Sequence, residues 1–240
     1  MRFDPPDAYW KKDVALFFSR RFALVLKMLY PIAIIVPVAA SGMPAKYAAA
    51  VIGIVAIMAG TFGAGETLTS DLNNGILARV ALTPLSPRKL VFQILAVNVV
   101  LDFIQLSPAL LIVYVLNPAP LAWVLAATFS VFATLVTANS IGVFIANFTS
   151  SPADVLLYAT AILFPLIYVS GFFRNQDPNG VLTLLRDFVP FAYMNDALKT
   201  VFGLATEATP LTIILYPTIL CAVLVFAVCL TASHLLSPRF

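Results

Sequence analysis

Three polar side chains interrupt a long apolar stretch of the sequence at a spacing that could support chemistry. Asn98, Asp102 and Gln105 follow i, i+4 and i+7, so a helix would carry them on one face. An acid near the middle of a bilayer costs several kcal/mol unless it is paired, hydrated or protonated. The trio indicates either a proton or cation site or a polar seam against another helix. The seam is favoured, because the sequence shows no second intramembrane acid or base beside Asp102.

A polar connector between two hydrophobic blocks is the second candidate site. It reads Asp-Leu-Asn-Asn-Gly-Ile-Leu-Ala-Arg-Val-Ala-Leu-Thr-Pro-Leu-Ser over residues 71–86. Ser70 or Asp71 is predicted to cap a short helix by accepting from its free amides, and Pro84 to end it. An apolar stripe with a flanking arginine follows at helical spacing: Leu72, Ile76, Val80 and Arg79. The spacing fits a docking element for a soluble partner and an ordinary interfacial loop helix equally well.

The composition places the chain in a membrane. Of its 240 residues, 61% are hydrophobic and only 10% are charged, and the mean hydropathy is +0.98. Soluble domains carry about a quarter charged residues, so lipid must cover much of this apolar surface. The sequence therefore predicts a single all-α integral membrane domain over residues 1–240.

Six apolar blocks are long enough to cross a bilayer, which takes about 20 residues. They cover residues 22–40, 47–67, 90–116, 121–148, 155–172 and 211–235. With six spans, nine lysines and arginines fall on the side of the two termini and the 71–86 connector, against four on the other side. This basic excess predicts a multi-pass protein of the plasma membrane with both termini in the cytoplasm.

The N-terminal segment, residues 1–21, is predicted to form an amphipathic helix. Its apolar face recurs at i, i+4, i+7 and i+8 through Trp10, Val14, Phe17 and Phe18. Such a helix is expected to lie flat in the cytoplasmic membrane interface. A simple extension of the first span is the alternative.

A long external stretch, residues 174–209, separates the fifth and sixth spans. It contains two amphipathic pieces, over 181–190 and 193–203, and each is too short to cross a bilayer. Two short re-entrant helices that dip partway into the outer leaflet would need surrounding protein, since exposed backbone is not tolerated at membrane depth. A pair of surface helices fits the same residues.

Motifs for catalysis and nucleotide binding are missing from the sequence. There is no phosphate-binding Gly-x-x-x-x-Gly-Lys-Ser/Thr loop, no His-Glu-x-x-His helix and no Gly-x-Ser-x-Gly elbow. The Gly-rich run at 60–65 is predicted to allow close helix packing inside the second span. The basic residues form no patch interleaved with aromatics, which argues against nucleic acid. We expect no catalytic residue, no metal site and no cofactor bound by this chain.

The connector resembles the first cytoplasmic loop of the permease subunits of ABC-2 type exporters. That loop carries an acid, a Gly-Thr-Leu-Glu-Arg-Leu-Leu-Ala-Thr-Pro-like run and then Leu/Val-Ser. Residues 75–86 align with it without a gap, and Asp71 occupies the position where the family often has an acidic residue. Ile76 and Ala78 replace the usual Thr and Glu. The matching residues are Gly75, Arg79, Thr83, Pro84, Leu85 and Ser86. The resemblance also covers the flat N-terminal helix, the six spans and the long loop after the fifth span.

This resemblance implies a coupling helix over 71–82, seated in a cleft of a separate ABC ATPase. It implies a transporter of two permeases, identical or related, and two ATPases, with ATP and Mg bound by the ATPases. ATP-driven closure would move both coupling helices, shift the second and fifth spans against the other permease and open a path between the protomers. The residues that enter the long loop, Gly171, Phe172 and Phe173, are then expected to form an extracellular gate region.

The substrate expected for such an exporter is a drug, a lipid or a lipid-linked or free glycan. An alternative is a secondary transporter coupled to an ion through Asp102. It would transport without any ATPase and would lose transport on Asp102→Asn.

Overall fold

The computed structural model describes residues 8–19, 21–76, 86–173, 181–204 and 209–235. Within these ranges the regular secondary structure is entirely helical, which confirms the predicted all-α class for them. The helices are α1 Ala8–Ser19, α2 Arg21–Ala40, α3 Ala45–Asn73, α4 Pro87–Leu116, α5 Leu121–Ala146, α6 Pro152–Val169, α7 Val181–Arg186, α8 Pro190–Val201 and α9 Pro210–Leu235.

Five of the described helices are long and apolar enough to cross a membrane: α3, α4, α5, α6 and α9. They correspond to the second to sixth predicted spans. The first predicted span corresponds to α2, whose apolar part, Leu24–Ala40, is shorter than the other five. The prediction of a multi-pass membrane protein is confirmed, and the sixth crossing stays a prediction.

Serine and proline fix where two of the spans begin. The Ser86 hydroxyl accepts from the backbone N–H of Lys89, and Pro87 is the first residue of α4. Ser151 caps α6 in the same way, and Pro152 follows it. Proline suits the first helical position because its missing N–H would have no partner there. Both helices therefore begin three residues earlier than apolarity alone predicted.

α3 is the central helix, and it packs against α2, α4, α5, α6 and α8. It lies closest to α5, which runs in the same direction. A Cβ added to Gly142 of α5 would lie 2.3 Å from the Thr61 carbonyl oxygen, and one added to Gly65 would lie 3.2 Å from the Gly142 carbonyl oxygen. These contacts leave no room for a side chain, so the predicted role of the 60–65 glycines in close helix packing is confirmed.

The predicted sites fall at the two ends of the bundle. We call the end where α3 stops and α4 starts the connector end, and the end that carries α7 and α8 the hairpin end. α8 packs against α3, α5, α6 and α9, and Phe191, Met194 and Leu198 are fully buried there. α7 has no buried residue. α8 is therefore enclosed by protein, as a re-entrant helix requires, whereas its position relative to a membrane stays a prediction.

Candidate functional site

The connector leaves α3 later than the sequence predicted. α3 continues through Ser70 and Asp71 to Asn73, so the prediction that one of these residues caps a separate helix is wrong. The turn comes at Gly75, whose φ of +67° is left-handed and suits a residue without a Cβ. Its N–H bonds to the Leu72 carbonyl oxygen at 3.1 Å.

Tertiary contacts explain this extension of α3. The Thr69 hydroxyl lies 3.3 Å from the Thr149 hydroxyl, and Asn73 Nδ2 donates to the Ser150 carbonyl oxygen at 2.9 Å. Both partners belong to the loop between α5 and α6. Since these bonds hold the last turn of α3 in place, the helix continues past the point where its sequence stops being apolar.

The described part of the coupling stripe packs onto the bundle itself. Leu72 and Ile76 are half-buried against an apolar cluster at the connector end, and Asp71 is only 7% exposed. That cluster includes Ala64, Leu68, Leu90, Ile94, Val143 and Val228. The side chains that face outward beside the connector are Asn73, Asn74, Ser86, Arg88 and Lys89. The remaining predicted coupling residues, Arg79, Val80, Thr83, Pro84 and Leu85, lie outside the described residues.

Asp102 of α4 has partners on other helices. Asn139 Nδ2 of α5 donates to Asp102 Oδ2 at 2.9 Å and also to the Leu135 carbonyl oxygen at 2.9 Å. Lys27 of α2 lies close enough to interact electrostatically with the carboxylate. The structure therefore brings a basic side chain near Asp102 that the sequence analysis did not recognise, and this lysine is exposed on α2.

Glycines of α3 make room for this polar contact. A Cβ on Gly60 would lie 2.9 Å from Asn139 Nδ2, and one on Gly63 would lie 3.6 Å from Asp102 Oδ1. The other two members of the predicted trio do not join it: Asn98 Nδ2 donates to the Ile94 carbonyl oxygen of its own helix, and Gln105 is half-buried. Asp102 thus contributes to a seam between α2, α3, α4 and α5, which is the arrangement that the sequence analysis favoured.

The predicted gate residues split between core and surface. Gly171 has a φ of +77°, and its carbonyl oxygen accepts from Asn195 Nδ2 at 3.1 Å and from Lys199 Nζ at 3.4 Å. Phe172 is 2% exposed, whereas Phe173 is 61% exposed. The segment after α6 is therefore fastened to α8 by polar side chains and to the core by one aromatic ring.

Contacts between α7, α8 and α9 fix the hairpin. Arg186 of α7 forms an ion pair with Asp196 of α8. Burial raises the pKa of Asp196, and the Arg186 guanidinium opposes that rise. The Tyr193 hydroxyl donates to the Asp187 carbonyl oxygen at 2.9 Å, and its ring stacks on Tyr216 of α9 with centroids 5.9 Å apart. Burial raises the pKa of Tyr193 to about 12.

The N-terminal helix α1 packs against α2 and α4. Of its predicted apolar face, Phe17 is buried, Val14 is half-buried, and Trp10 and Phe18 are exposed. Lys27 Nζ lies 5.4 Å from the centroid of the Phe17 ring. Protein therefore covers only part of the predicted apolar face, and the rings of Trp10 and Phe18 remain exposed.

Comparison with known proteins gives one result that matches this architecture. Residues 8–203 match the model of a protein family described as ABC-2 type transporter, from the first residue of α1 to just beyond α8. A search of curated proteins finds no match to the chain. Because the family match covers most of the sequence, the chain belongs to the ABC-2 type transporter family, as a permease component that works in a membrane with an ABC ATPase.

Proposed function

We propose that this chain is the membrane-spanning subunit of an ATP-driven exporter. Two permease copies, identical or related, form the translocation path at their interface. Two separate ATPase subunits bind ATP and Mg and act on the 71–86 connector from the cytoplasm. Family membership supports the permease role, and the basic excess near the termini and the connector supports the orientation in the plasma membrane.

The observation that carries this proposal is the way α3 holds both ends of α6. α3 runs without interruption from Ala45 to Asn73, about 43 Å at 1.5 Å per residue. At the connector end, Asn73 bonds to Ser150, just before α6. At the hairpin end, a Cβ on Gly53 would lie 2.2 Å from Phe172, just after α6. A displacement of the connector therefore reaches α6 through a continuous rod.

α6 supplies the surface on which the second permease would move. Leu157 and Phe164 are 68% and 66% exposed, and Tyr158 and Tyr168 are also exposed. Its buried side packs on α3 and α5 through Val155 and Ala159. The second and fifth spans thus act as one unit, with α3 inside the protomer and α6 at the interface.

The apolar and aromatic character of this α6 surface favours a substrate with apolar parts. A path lined by such side chains suits a drug, a lipid or a lipid-linked glycan, with little to replace the hydration of a small ion. The segment at 171–173 then closes the outer end of the path, because Gly171 and Phe172 attach it to α8 and α3.

The test uses the full chain co-expressed with its co-encoded ABC ATPase and reconstituted in nanodiscs. Arg79→Glu inverts the charge of the proposed coupling helix and is expected to reduce ATPase co-purification and substrate-stimulated ATP hydrolysis. The matched control is Lys46→Glu, the same charge reversal at the opposite end of α3, which should leave both unchanged. If Arg79→Glu binds the ATPase and transports like the original chain, the connector is not the coupling element.

The ion-coupled alternative rests on Asp102. Its bond with Asn139 supports a structural seam instead, because the hydrogen bond joins the Asp102 side chain of α4 to a buried amide of α5. Transport by vesicles that hold the permease without any ATPase, abolished by Asp102→Asn, would favour the alternative over the exporter.

A further inference from the structure

The α7–α8 hairpin fills only part of the space between α6 and α9. α9 packs against α4, α5 and α8, while α6 packs against α3, α5, α7 and α8. The turn at 188–190 and Leu224 line the same space, and Leu224 lies about 21 Å along α9 from its start at Pro210. Beyond this turn, toward the connector end, lies a cavity of about 410 Å³.

This cavity is a slot parallel to the helices. It extends along α5 from Thr137 to Phe144 and along α9 from Leu224 to Thr231, about 10 Å on each helix. Its volume lies within the range of about 300–1,000 Å³ that is typical of ligand pockets. A slot of this form accepts a narrow, extended molecule aligned with the spans.

The slot is lined mainly by apolar side chains, and its few hydroxyl groups already have hydrogen-bond acceptors. Its three hydroxyl groups all donate to carbonyl oxygens of their own helices: Thr137 to Ala133 at 3.0 Å, Ser140 to Val136 at 2.7 Å and Thr231 to Val228 at 2.8 Å. No hydroxyl hydrogen among these three remains for a ligand. Apolar cavities exclude water, so a hydrocarbon chain is the ligand class that fits.

The slot is continuous with the apolar outer surface of two membrane-crossing helices. The lining residues Phe144 of α5 and Ile162 of α6 are 41% and 38% exposed at its opening, and both helices qualify as spans. The medium beside the opening is therefore bilayer hydrocarbon. The exposed Phe188 ring at the turn also borders the slot and would be covered by an occupant.

We propose that this slot binds one acyl chain of a bilayer phospholipid. The acyl chain fills the part of the α6–α9 gap that the hairpin does not reach. It supports the turn at 188–190 from the side of the connector end. The site lies within one protomer and does not depend on ATP-driven export or on the coupling role of the connector.

The experiment uses the full chain in phosphatidylcholine vesicles that contain a phospholipid with a diazirine in the middle of one acyl chain. After illumination, labelled residues are mapped by peptide mass spectrometry. We expect labels on Phe144, Leu166 and Leu224 of the slot, reduced several-fold by Ala227→Phe, which fills it. Ala222→Phe is the matched control, since Ala222 lies on the same helix but lines a separate groove with Phe92. It should reduce labelling of Phe92 and leave the slot labelled.

A second filling variant, Ser140→Leu from α5, separates occupancy of the slot from any misfolding caused by Ala227→Phe. Loss of slot labels in either folded variant supports the proposal. The proposal is overturned if slot residues stay unlabelled in the original chain, or if both filling variants keep the labelling of the original chain. Crosslinks from these residues to a second permease copy, in place of lipid, overturn it as well.

Discussion

α3 and α6 are both apolar spans, yet the structure encloses one in protein and leaves one side of the other open. In α3, Ala56, Ala64 and Leu68 have no exposed surface. In α6, Leu157 and Phe164 are exposed over most of their surface. α3 contacts the residues just before and just after α6, but the two helices face different surroundings. One is suited to transmit a displacement inside the protomer and the other to meet a second molecule.

Residue size explains the difference. Lipid tails are as apolar as a leucine side chain, so helices associate in a bilayer through close packing and polar contacts. α3 offers Gly60, Gly63 and Gly65 to its neighbours, whereas the outer side of α6 carries leucine, phenylalanine and tyrosine. Small residues let backbones approach, and large ones on an outer side fit lipid or another subunit.

The largest expected effect follows from the α3–α5 contact. Gly142→Leu would place a side chain where the Thr61 carbonyl oxygen lies only 2.3 Å from the Cβ position. The helices would have to separate, and we expect a loss of about 3 kcal/mol or more in the free energy of unfolding. Unfolding in mixed micelles with increasing SDS, followed by circular dichroism, measures this loss.

The matched control is Ala161→Leu on the exposed side of α6, a change to the same side chain with space around it. Its unfolding midpoint should stay close to that of the original chain. Equal losses in the two variants would show that α3 is not packed more tightly than α6.

Local pattern was enough to predict the crossing helices, because a run of about 20 apolar residues is itself the signal. It was not enough to predict where α3 ends, since Thr69 and Asn73 are held by residues 80 and 77 positions later. The partners of Asp102 were missed for the same reason. Asn139 is 37 positions away, and a lone amide or lysine inside an apolar run gives no sign of its neighbour.

The polar seam provides the next test of the enclosed side of the molecule. Asp102→Leu removes the acceptor of Asn139 and leaves a buried donor with one partner fewer. We expect a loss of about 1–3 kcal/mol in the free energy of unfolding, measured by the same SDS titration. Asp102→Asn keeps an oxygen that can accept from Asn139 and should cost less. If Asp102 belongs to a structural seam, stability should fall from the original chain to Asp102→Asn and further to Asp102→Leu. Equal stability of these three proteins would contradict the seam.

The α7–α8 hairpin gives a smaller, pH-dependent effect. Burial raises the pKa of Asp196 above 3.8 in the folded chain, so the folded state binds this proton more tightly than the unfolded state. The group's contribution to stability is then greatest below the unfolded pKa and is lost as pH rises through the folded pKa. Asp196→Asn should flatten the part of the stability profile that lies above the ordinary carboxyl pKa.

The control for that profile is Asp187→Asn, which removes an exposed carboxylate from the turn between α7 and α8. It should leave the slope in place. A slope that persists in Asp196→Asn would assign the titration to another group and weaken the view that α8 is enclosed like α3.

The smallest effect on stability is expected for the exposed side of α6. This test also distinguishes whether that side, unlike the enclosed α3, meets a second subunit or lipid. Leu157→Ala and Phe164→Ala shorten side chains that already lie outside the protomer, so the free energy of unfolding should change by less than about 0.5 kcal/mol. If a second permease covers this side, the same changes should shift the protein from dimer to monomer in size-exclusion chromatography with light scattering. The pairing of normal stability with lost dimerisation separates an interface from a lipid-facing surface, since truncation of a lipid-facing side chain would leave both unchanged.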